Sequence, residues 1–247
     1  METRTLVRAV VVAALVAALF AAAFHLTVSE RFVDRAIRLE KQAEAEHLEA
    51  DGAALEHHEP VFSRRTQKAG LLVGLVVYGF GAGAVFAGVY ALWGQHLPGR
   101  SPRTRVYLFG GIAVFSAVLI PFLKYPSNPP GVGDPGTLTQ RQLLYIGCLL
   151  LSVAGVWIAA RVFSRLKVRT TPVVAAVGAA AVLSVWLLML FLMLPDRTDP
   201  VNTPATLLLQ FRASSLAGQL IFWATFVIFF AEMVQRSAEP SPVALPS

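Results

Sequence analysis

Six long apolar stretches divide the chain, and each is close to the length that a lipid bilayer requires. A spanning helix needs roughly 20 apolar residues to cross a hydrocarbon core ~30 Å thick. Charged residues make up only 15% of the chain, against about 25% in an ordinary soluble domain. The sequence therefore predicts an all-α integral membrane protein with about six transmembrane helices. The predicted spans are residues 6–28, 69–94, 106–123, 142–160, 170–194 and 213–231.

The first apolar stretch allows two interpretations. Arg4 and Arg8 precede it, and small residues at 21–23 resemble the end of a cleaved secretory signal. The stretch continues to Val28, which is longer than a typical signal core, so we interpret it as an uncleaved helix. A mature chain of five helices is the alternative. In either case we expect one polytopic membrane domain within residues 1–236 and a disordered Pro- and Ser-rich tail, 237–247.

A polar segment, residues 29–68, separates the first two spans and mixes seven basic residues with nine acidic ones. Its first part, residues 30–50, has few helix breakers and predicts a solvated helix, with an irregular stretch after it. The segment also carries His47, His57 and His58, with carboxylates nearby. Imidazole and carboxylate groups attract divalent metals. Their spacing is not that of a formed zinc site, so a solvated polar face is the alternative interpretation.

The basic residues between the spans predict the orientation in the membrane. The second and fourth connections contain three and four Lys or Arg residues, and the third and fifth contain two each. Short basic loops remain in the cytoplasm, so we expect a cell-membrane protein with both termini inside. The first connection disagrees, because three basic residues directly precede the second span: Arg64, Arg65 and Lys68. In every version, the histidine-bearing segment and the third and fifth connections share one face.

The third and fifth connections resemble each other and suggest an internal repeat. Pro126 is followed nine residues later by Pro135, and Pro195 is followed nine residues later by Pro204, an offset of 69 residues. The same offset superposes the flanking apolar runs, so helices 3–4 and helices 5–6 form a possible parallel repeat. In each case a Pro at the first helical position predicts a helix start, near Pro135 and near Pro204.

Small residues at seven-residue spacing mark one side of the second span: Gly74, Gly81 and Gly88. Gly70/Gly74 and Gly79/Gly83 also form small-xxx-small pairs. Small residues let helix backbones approach closely in lipid, so we predict helix packing at these glycines. A hinge or a substrate-lining face is the alternative.

An ionisable residue, His25, lies near the end of the first span and close in sequence to Glu30. An imidazole beside a carboxylate suits a divalent transition metal, which makes His25 a candidate ligand. A hydrogen-bonded interfacial histidine is the alternative.

The third connection, residues 124–135, contains four prolines and several turn-forming residues. Regular helix or sheet is excluded at such a density of proline. Non-helical backbone at membrane depth is tolerated only inside protein or along a wet cavity. We therefore predict either a re-entrant gate that offers oxygen ligands to an ion or a rigid external turn. The candidate residues are Lys124, Tyr125, Asn128, Pro130 and Asp134.

Arg141 and Arg212 lie near predicted helix starts, where the helix dipole is also positive. A bare cation is unfavourable there, and an anion or a carboxylate is favoured. Asp134, Asp196 and Asp199 could supply that negative charge, which gives the arginines a structural role. The chain contains no G-x-S-x-G, no H-E-x-x-H and no P-loop, so we expect it not to be an enzyme.

Several of these segments together resemble the CbtA family of predicted cobalt transporter subunits, over nearly the whole chain. The segments that carry the resemblance are the basic start before the first span, residues 59–70, residues 124–126 and 129–135, and Phe211-Arg212 at the last span. The run from Lys-Tyr-Pro to Gly-Asp-Pro is the most specific of them. Family members are described with about five helices, whereas six are counted in this chain.

The resemblance implies uptake of cobalt(II) linked to cobalamin synthesis, with a small one-helix partner, CbtB, that carries a His-rich end. It supplies no ligand residues, so the candidate metal ligands rest on chemistry alone: His25, His47, His57, His58 and Asp134. No permanently bound cofactor is expected, and neither is nucleic acid as a partner. Two alternatives remain at this point: a membrane scaffold or assembly factor that transports nothing, and a permease for an anionic or chelated solute.

Overall fold

The computed structural model describes residues 3–51, 62–99, 101–130, 132–133, 135–196 and 203–239. Within these residues the chain is helical throughout apart from its connections. Eight α-helices follow one another: α1 (Thr3–Phe24), α2 (Glu30–Asp51), α3 (Arg64–Trp93), α4 (Pro102–Val114), α5 (Ile120–Lys124), α6 (Leu138–Lys167), α7 (Pro172–Met193) and α8 (Ala205–Ala238). Two π-helical turns, His25–Ser29 and Phe115–Leu119, join α1 to α2 and α4 to α5 without interrupting the helix.

The continuous helices give six segments long and apolar enough to cross a membrane, as the sequence predicts. These candidate spans are Thr3–Ala43, Arg64–Trp93, Pro102–Lys124, Leu138–Lys167, Pro172–Met193 and Ala205–Ala238. Most are longer than the apolar cores on which the prediction was based, because the polar residues at their ends continue the helix. The predicted solvated helix over residues 30–50 is confirmed as α2. The irregular stretch predicted after it lies outside the described residues.

The ends of the helices agree with the 69-residue offset. Shifted by 69 residues, the span Pro102–Lys124 falls on 171–193, and the fifth span is Pro172–Met193. A 3-10 turn begins at Pro135 ahead of α6, and α8 begins one residue after Pro204. The Pro204 carbonyl accepts the first helical hydrogen bond of α8, from Leu208 N at 3.1 Å. Both helix starts therefore lie where the prolines predicted them, and superposition of the two hairpins stays a prediction.

The chain divides into two compact units by its internal contacts. The terminal unit combines residues 1–111 with 213–247, and the central unit is residues 112–212. In the terminal unit α1 packs against α3 through a face of fully or almost fully buried alanines. In the central unit α6 packs against α7, and the Trp186 indole N–H donates to the Leu151 carbonyl at 2.9 Å.

Two glycines of α3 allow the close approach in the terminal unit. A Cβ built on Gly79 would lie 3.3 Å from Ala14 of α1 and from Phe222 of α8. A Cβ on Gly83 would lie 2.7 Å from the Phe226 ring, which is closer than real contacts allow. Phe226 belongs to an aromatic cluster whose members also include Phe86, Trp223 and Phe230. Edge-to-face packing of such rings contributes beyond their buried area.

The prediction of packing at Gly74, Gly81 and Gly88 is wrong for contacts within the described residues. A Cβ on any of these three would meet no atom within 4 Å. Both the seven-residue set and the Gly79/Gly83 pair satisfy the small-residue pattern in sequence. The positions of α1 and α8 decide which side of α3 is covered, and they cover the side of Gly79 and Gly83.

We expect Gly83→Ala to lower the stability of the purified protein and Gly81→Ala to leave it unchanged or raise it slightly. A methyl group at position 83 forces the Phe226 ring to move, and overpacking of this kind costs ~1–3 kcal/mol. The same methyl at position 81 meets open space, and alanine is the better helix former by up to ~1 kcal/mol. Unfolding in a detergent titration measures both. Equal stability of the two variants would contradict this packing.

Candidate functional site

An imidazole occupies the π-helical turn of the first span. His25 opens the turn, and its Nδ1 lies 2.9 Å from Oγ of the buried Ser29. When Nδ1 donates its proton to that oxygen, Nε2 carries a free lone pair, which is the form of imidazole that binds a metal. Single π-helical turns within α-helices occur frequently at functional sites. The turn therefore holds the ring in one orientation and leaves Nε2 as its potential ligand atom.

The edge of the ring that carries Nε2 faces α8 at Gly218. A Cβ built on Gly218 would lie 2.3 Å from both Nε2 and Cε1 of His25. Gly218 is the only glycine of α8, so the backbone is open at the one level where the imidazole needs the room. Neither Ser29 nor Gly218 was identified from the sequence. A lone glycine within an apolar helix is the signal that would have found Gly218, since it often marks a close approach.

Glu30 does not bind His25 as the sequence suggested. Its carboxylate pairs with Arg64, whose Nη2 also lies 2.7 Å from Asp34 Oδ1. Lys68 Nζ lies 3.8 Å from the same Glu30 oxygen. Arg64 is in the first turn of α3, where the helix dipole disfavours a cation, and the two carboxylates of α2 offset that cost. The guanidinium forms charge-assisted hydrogen bonds that a neutral imidazole cannot match, and this explains the different pairing.

The other candidate metal ligands lie where the structure cannot join them to His25. His57, His58 and Asp134 are outside the described residues, and His47 lies on α2 with an undescribed side chain. Among the side chains that are described, no three His, Cys, Asp or Glu residues are grouped closely enough to hold a metal ion. The proposed ligand roles of all five residues stay predictions.

The central unit contains the start of the Pro-rich third connection, and there the structure is a clasp between two connections. Lys124 ends α5, and its ammonium group pairs with Asp196 and donates to the Phe191 carbonyl at 3.0 Å. The Lys124 side chain is only 5% exposed. The buried Tyr125 hydroxyl donates to the Pro195 carbonyl at 2.7 Å. The ends of the third and fifth spans are thus joined by one ion pair and two hydrogen bonds to backbone.

The clasp changes the interpretation of the charges. Asp196 was a candidate to neutralise Arg141 or Arg212, and it pairs with Lys124 instead. Arg212 donates from Nη2 to Asn128 Oδ1 at 2.9 Å. Arg141 Nη1 donates to the Val132 carbonyl at 3.4 Å.

The remaining residues of the third connection give a partial picture. Pro130 is exposed, and Gly133 has a φ of 101°, a conformation that favours glycine. Asp199, like Asp134, is outside the described residues. The gating role predicted for this connection stays a prediction.

We expect Tyr125→Phe to destabilise the protein by about 1 kcal/mol, because it leaves the Pro195 carbonyl without its buried donor. Tyr107→Phe is the matched control, since the Tyr107 hydroxyl accepts only from the exposed guanidinium of Arg103, at 3.2 Å. Chemical unfolding of the two purified variants compares them. A loss as large for Tyr107→Phe as for Tyr125→Phe would show that the clasp contributes nothing of its own.

The spanning helices, the ionisable residue within the first span and the buried polar contacts at the ends of the spans define a multi-pass helical membrane protein. A family model described as "Probable cobalt transporter subunit (CbtA)" matches residues 3–235. The chain belongs to the CbtA family. No curated protein and no solved structure matches it. The family description is one of transport rather than of catalysis, and the word subunit implies a partner component.

Proposed function

We propose that the chain is the membrane-embedded subunit of an uptake system for cobalt(II) or a similar divalent metal. The observation that carries this proposal, beside the family, is the fixed imidazole of His25 inside a spanning helix. Ionisable residues are rare within spans, and they mark ion pathways when they occur. Nitrogen ligands suit cobalt, nickel and iron(II) alike, so the metal preference depends on geometry.

His25 acts as a transient ligand in this proposal. An ion in a pathway must bind favourably enough to enter and weakly enough to leave. One neutral imidazole meets both conditions. The histidines of the polar segment, His47, His57 and His58, gather the metal on the face from which it enters. Asp134, at the Pro-rich connection of that same face, is the second proposed contact.

The orientation and the partner belong to the same proposal. Both termini lie in the cytoplasm of a cell-membrane protein, because the second and fourth connections are the more basic ones. The histidine-bearing segment then faces the outside, where the metal is captured. The partner is a small membrane subunit with a His-rich end, similar to CbtB, which raises the local metal concentration at that face.

Cellular cobalt accumulation tests the transport itself. The chain is expressed in a host that lacks its own cobalt importers, alone and together with a CbtB-like partner, and cobalt is measured by elemental analysis. We expect accumulation above the empty vector, and its dependence on the partner defines the working unit. No accumulation under either condition, with membrane insertion confirmed, would favour a scaffold that transports nothing.

Replacing the imidazole tests the pathway. We expect His25→Ala to lower cobalt uptake by about tenfold, because removing a charged or ligating group typically costs more than ~1.4 kcal/mol. His96→Ala is the matched control, since His96 is exposed in a connection and should leave uptake unchanged. Protein in the membrane is quantified for both variants. Normal uptake by His25→Ala would remove His25 from the pathway.

Gly218→Ala tests the position of the ring rather than its chemistry. The added methyl would overlap Nε2 and Cε1 of His25, so the ring must leave its place, and we expect uptake to fall while His25 is still present. Gly147→Ala is the control, because a methyl on that glycine of α6 meets nothing within 4 Å. Uptake is measured per unit of membrane-inserted protein. Equal uptake by the two variants would show that the ring's position against α8 does not matter.

A further inference from the structure

Three side chains of the central unit form a cluster of hydrogen-bond donors that the proposed metal pathway does not use. Ser127 and Asn128 lie in the Pro-rich connection, and Arg212 lies on α8. Arg212 Nη2 donates to Asn128 Oδ1 at 2.9 Å. Ser127 precedes Asn128 in the chain, so its Cα is about 3.8 Å from that of Asn128. These three residues are called the Arg212 cluster below.

Two atoms of the Arg212 cluster are buried and have no hydrogen-bond partner: Arg212 Nε and Ser127 Oγ. Natural proteins leave few buried polar atoms unsatisfied, and each such atom calls for an explanation, such as a bound ion. Here two occur in one small cluster, beside a side chain that is already fixed by a hydrogen bond. The pairing of Asn128 through its oxygen also leaves the Asn128 amide N–H groups as further donors.

The charge of the Arg212 cluster has no counterpart among the described residues. None of the ion pairs formed by those residues includes Arg212. Asp196, the nearest candidate in sequence on the described side of the fifth connection, is held by Lys124. A water molecule would satisfy the serine hydroxyl but would bring no negative charge. An anion satisfies the hydrogen bonds and the charge together.

The donors point to an oxyanion. A guanidinium presents its N–H groups in a planar fork that matches two oxygens of a phosphate or a carboxylate. Asn128 holds the fork in place through Nη2. We propose that the Arg212 cluster is a binding site for an oxyanion of the phosphate class, separate from the metal pathway. Nothing in this inference depends on which metal the protein transports.

The position of Arg212 along α8 makes such a ligand accessible. α8 has 34 residues, which corresponds to about 51 Å, whereas the hydrocarbon core is ~30 Å thick. Arg212 is followed directly by the apolar run 213–231 and lies at its N-terminal edge. At that depth the two sources of a phosphate-class oxyanion are the headgroup of an anionic lipid and a free anion from solution.

Thermal unfolding of the purified full chain in a neutral detergent tests the site, with tryptophan fluorescence as the readout. Inorganic phosphate is titrated against sodium chloride at equal ionic strength. In a second arm, the protein is placed in nanodiscs of phosphatidylcholine with or without phosphatidylglycerol. We expect a saturable rise in the unfolding midpoint with phosphate, with phosphatidylglycerol, or with both. A response to phosphate identifies a free anion, and a response to the lipid alone identifies a headgroup.

Four variants make the test specific. Arg212→Gln keeps a donor for Asn128 and loses the charge, and we expect the apparent affinity to fall by about tenfold. Ser127→Ala should weaken it by about threefold. Asn128→Asp puts a carboxylate beside Arg212 and should abolish the response in a protein that keeps its arginine. Arg169→Gln, at an exposed arginine of the same unit, should respond as the original chain does.

Two results would overturn the proposal. One is the absence of any midpoint rise with phosphate or phosphatidylglycerol beyond that with chloride or phosphatidylcholine. The other is a rise of the same size in Asn128→Asp and in the original chain, since the site would then not involve the charge of Arg212. If Arg212→Gln does not fold, Asn128→Asp still decides between the outcomes, because it changes a single atom type in the side chain.

Discussion

The hydrocarbon core of a bilayer offers no hydrogen-bond partner to a peptide group, and the rest of this structure depends on that constraint. Each span is an uninterrupted helix, and even the two π-helical turns keep the backbone bonded within its own segment. The non-helical connections lie at the ends of the spans. There, side chains such as Tyr125 and Lys124 satisfy backbone carbonyls that the helix ends leave open.

Where two helices in lipid must meet closely, small residues are needed, because apolar side chains gain little by leaving lipid for protein. The terminal unit shows this twice. Gly79 and Gly83 bring α3 against α1 and α8, and Gly218 makes room for an imidazole. In the second case the small residue has a chemical consequence, since it places the Nε2 edge of His25 at a helix surface. Packing and the candidate ligand are therefore parts of one arrangement.

Charges in this chain are held by specific partners at the ends of the spans. Arg64 joins two carboxylates of α2, and Lys124 takes Asp196. Against that pattern the Arg212 cluster is different, because its cation is bonded to a neutral amide and two of its donors are unsatisfied. The family membership directs attention to a cation as the cargo. The anion site is a second, independent feature of the same chain.

The sequence by itself determined the number and the approximate bounds of the spans, the helix over residues 30–50, and the helix starts at the two prolines. Each of these follows from local physics: the apolar length needed in lipid, the absence of helix breakers, and the fixed φ of proline. The resemblance in the Pro-rich run also sufficed to name the family. These properties are set within one segment, so no knowledge of neighbouring helices was needed.

Only the tertiary structure decided which glycines of α3 are in contact, which residue pairs with Glu30 and Asp196, and what His25 faces. Gly81 and Gly83 are indistinguishable as small residues in sequence, and the surfaces of α1 and α8 separate them. His25 and Gly218 are 193 positions apart in the chain. Contacts between distant segments depend on how helices rotate and cross, and the pattern within a single helix does not contain that information.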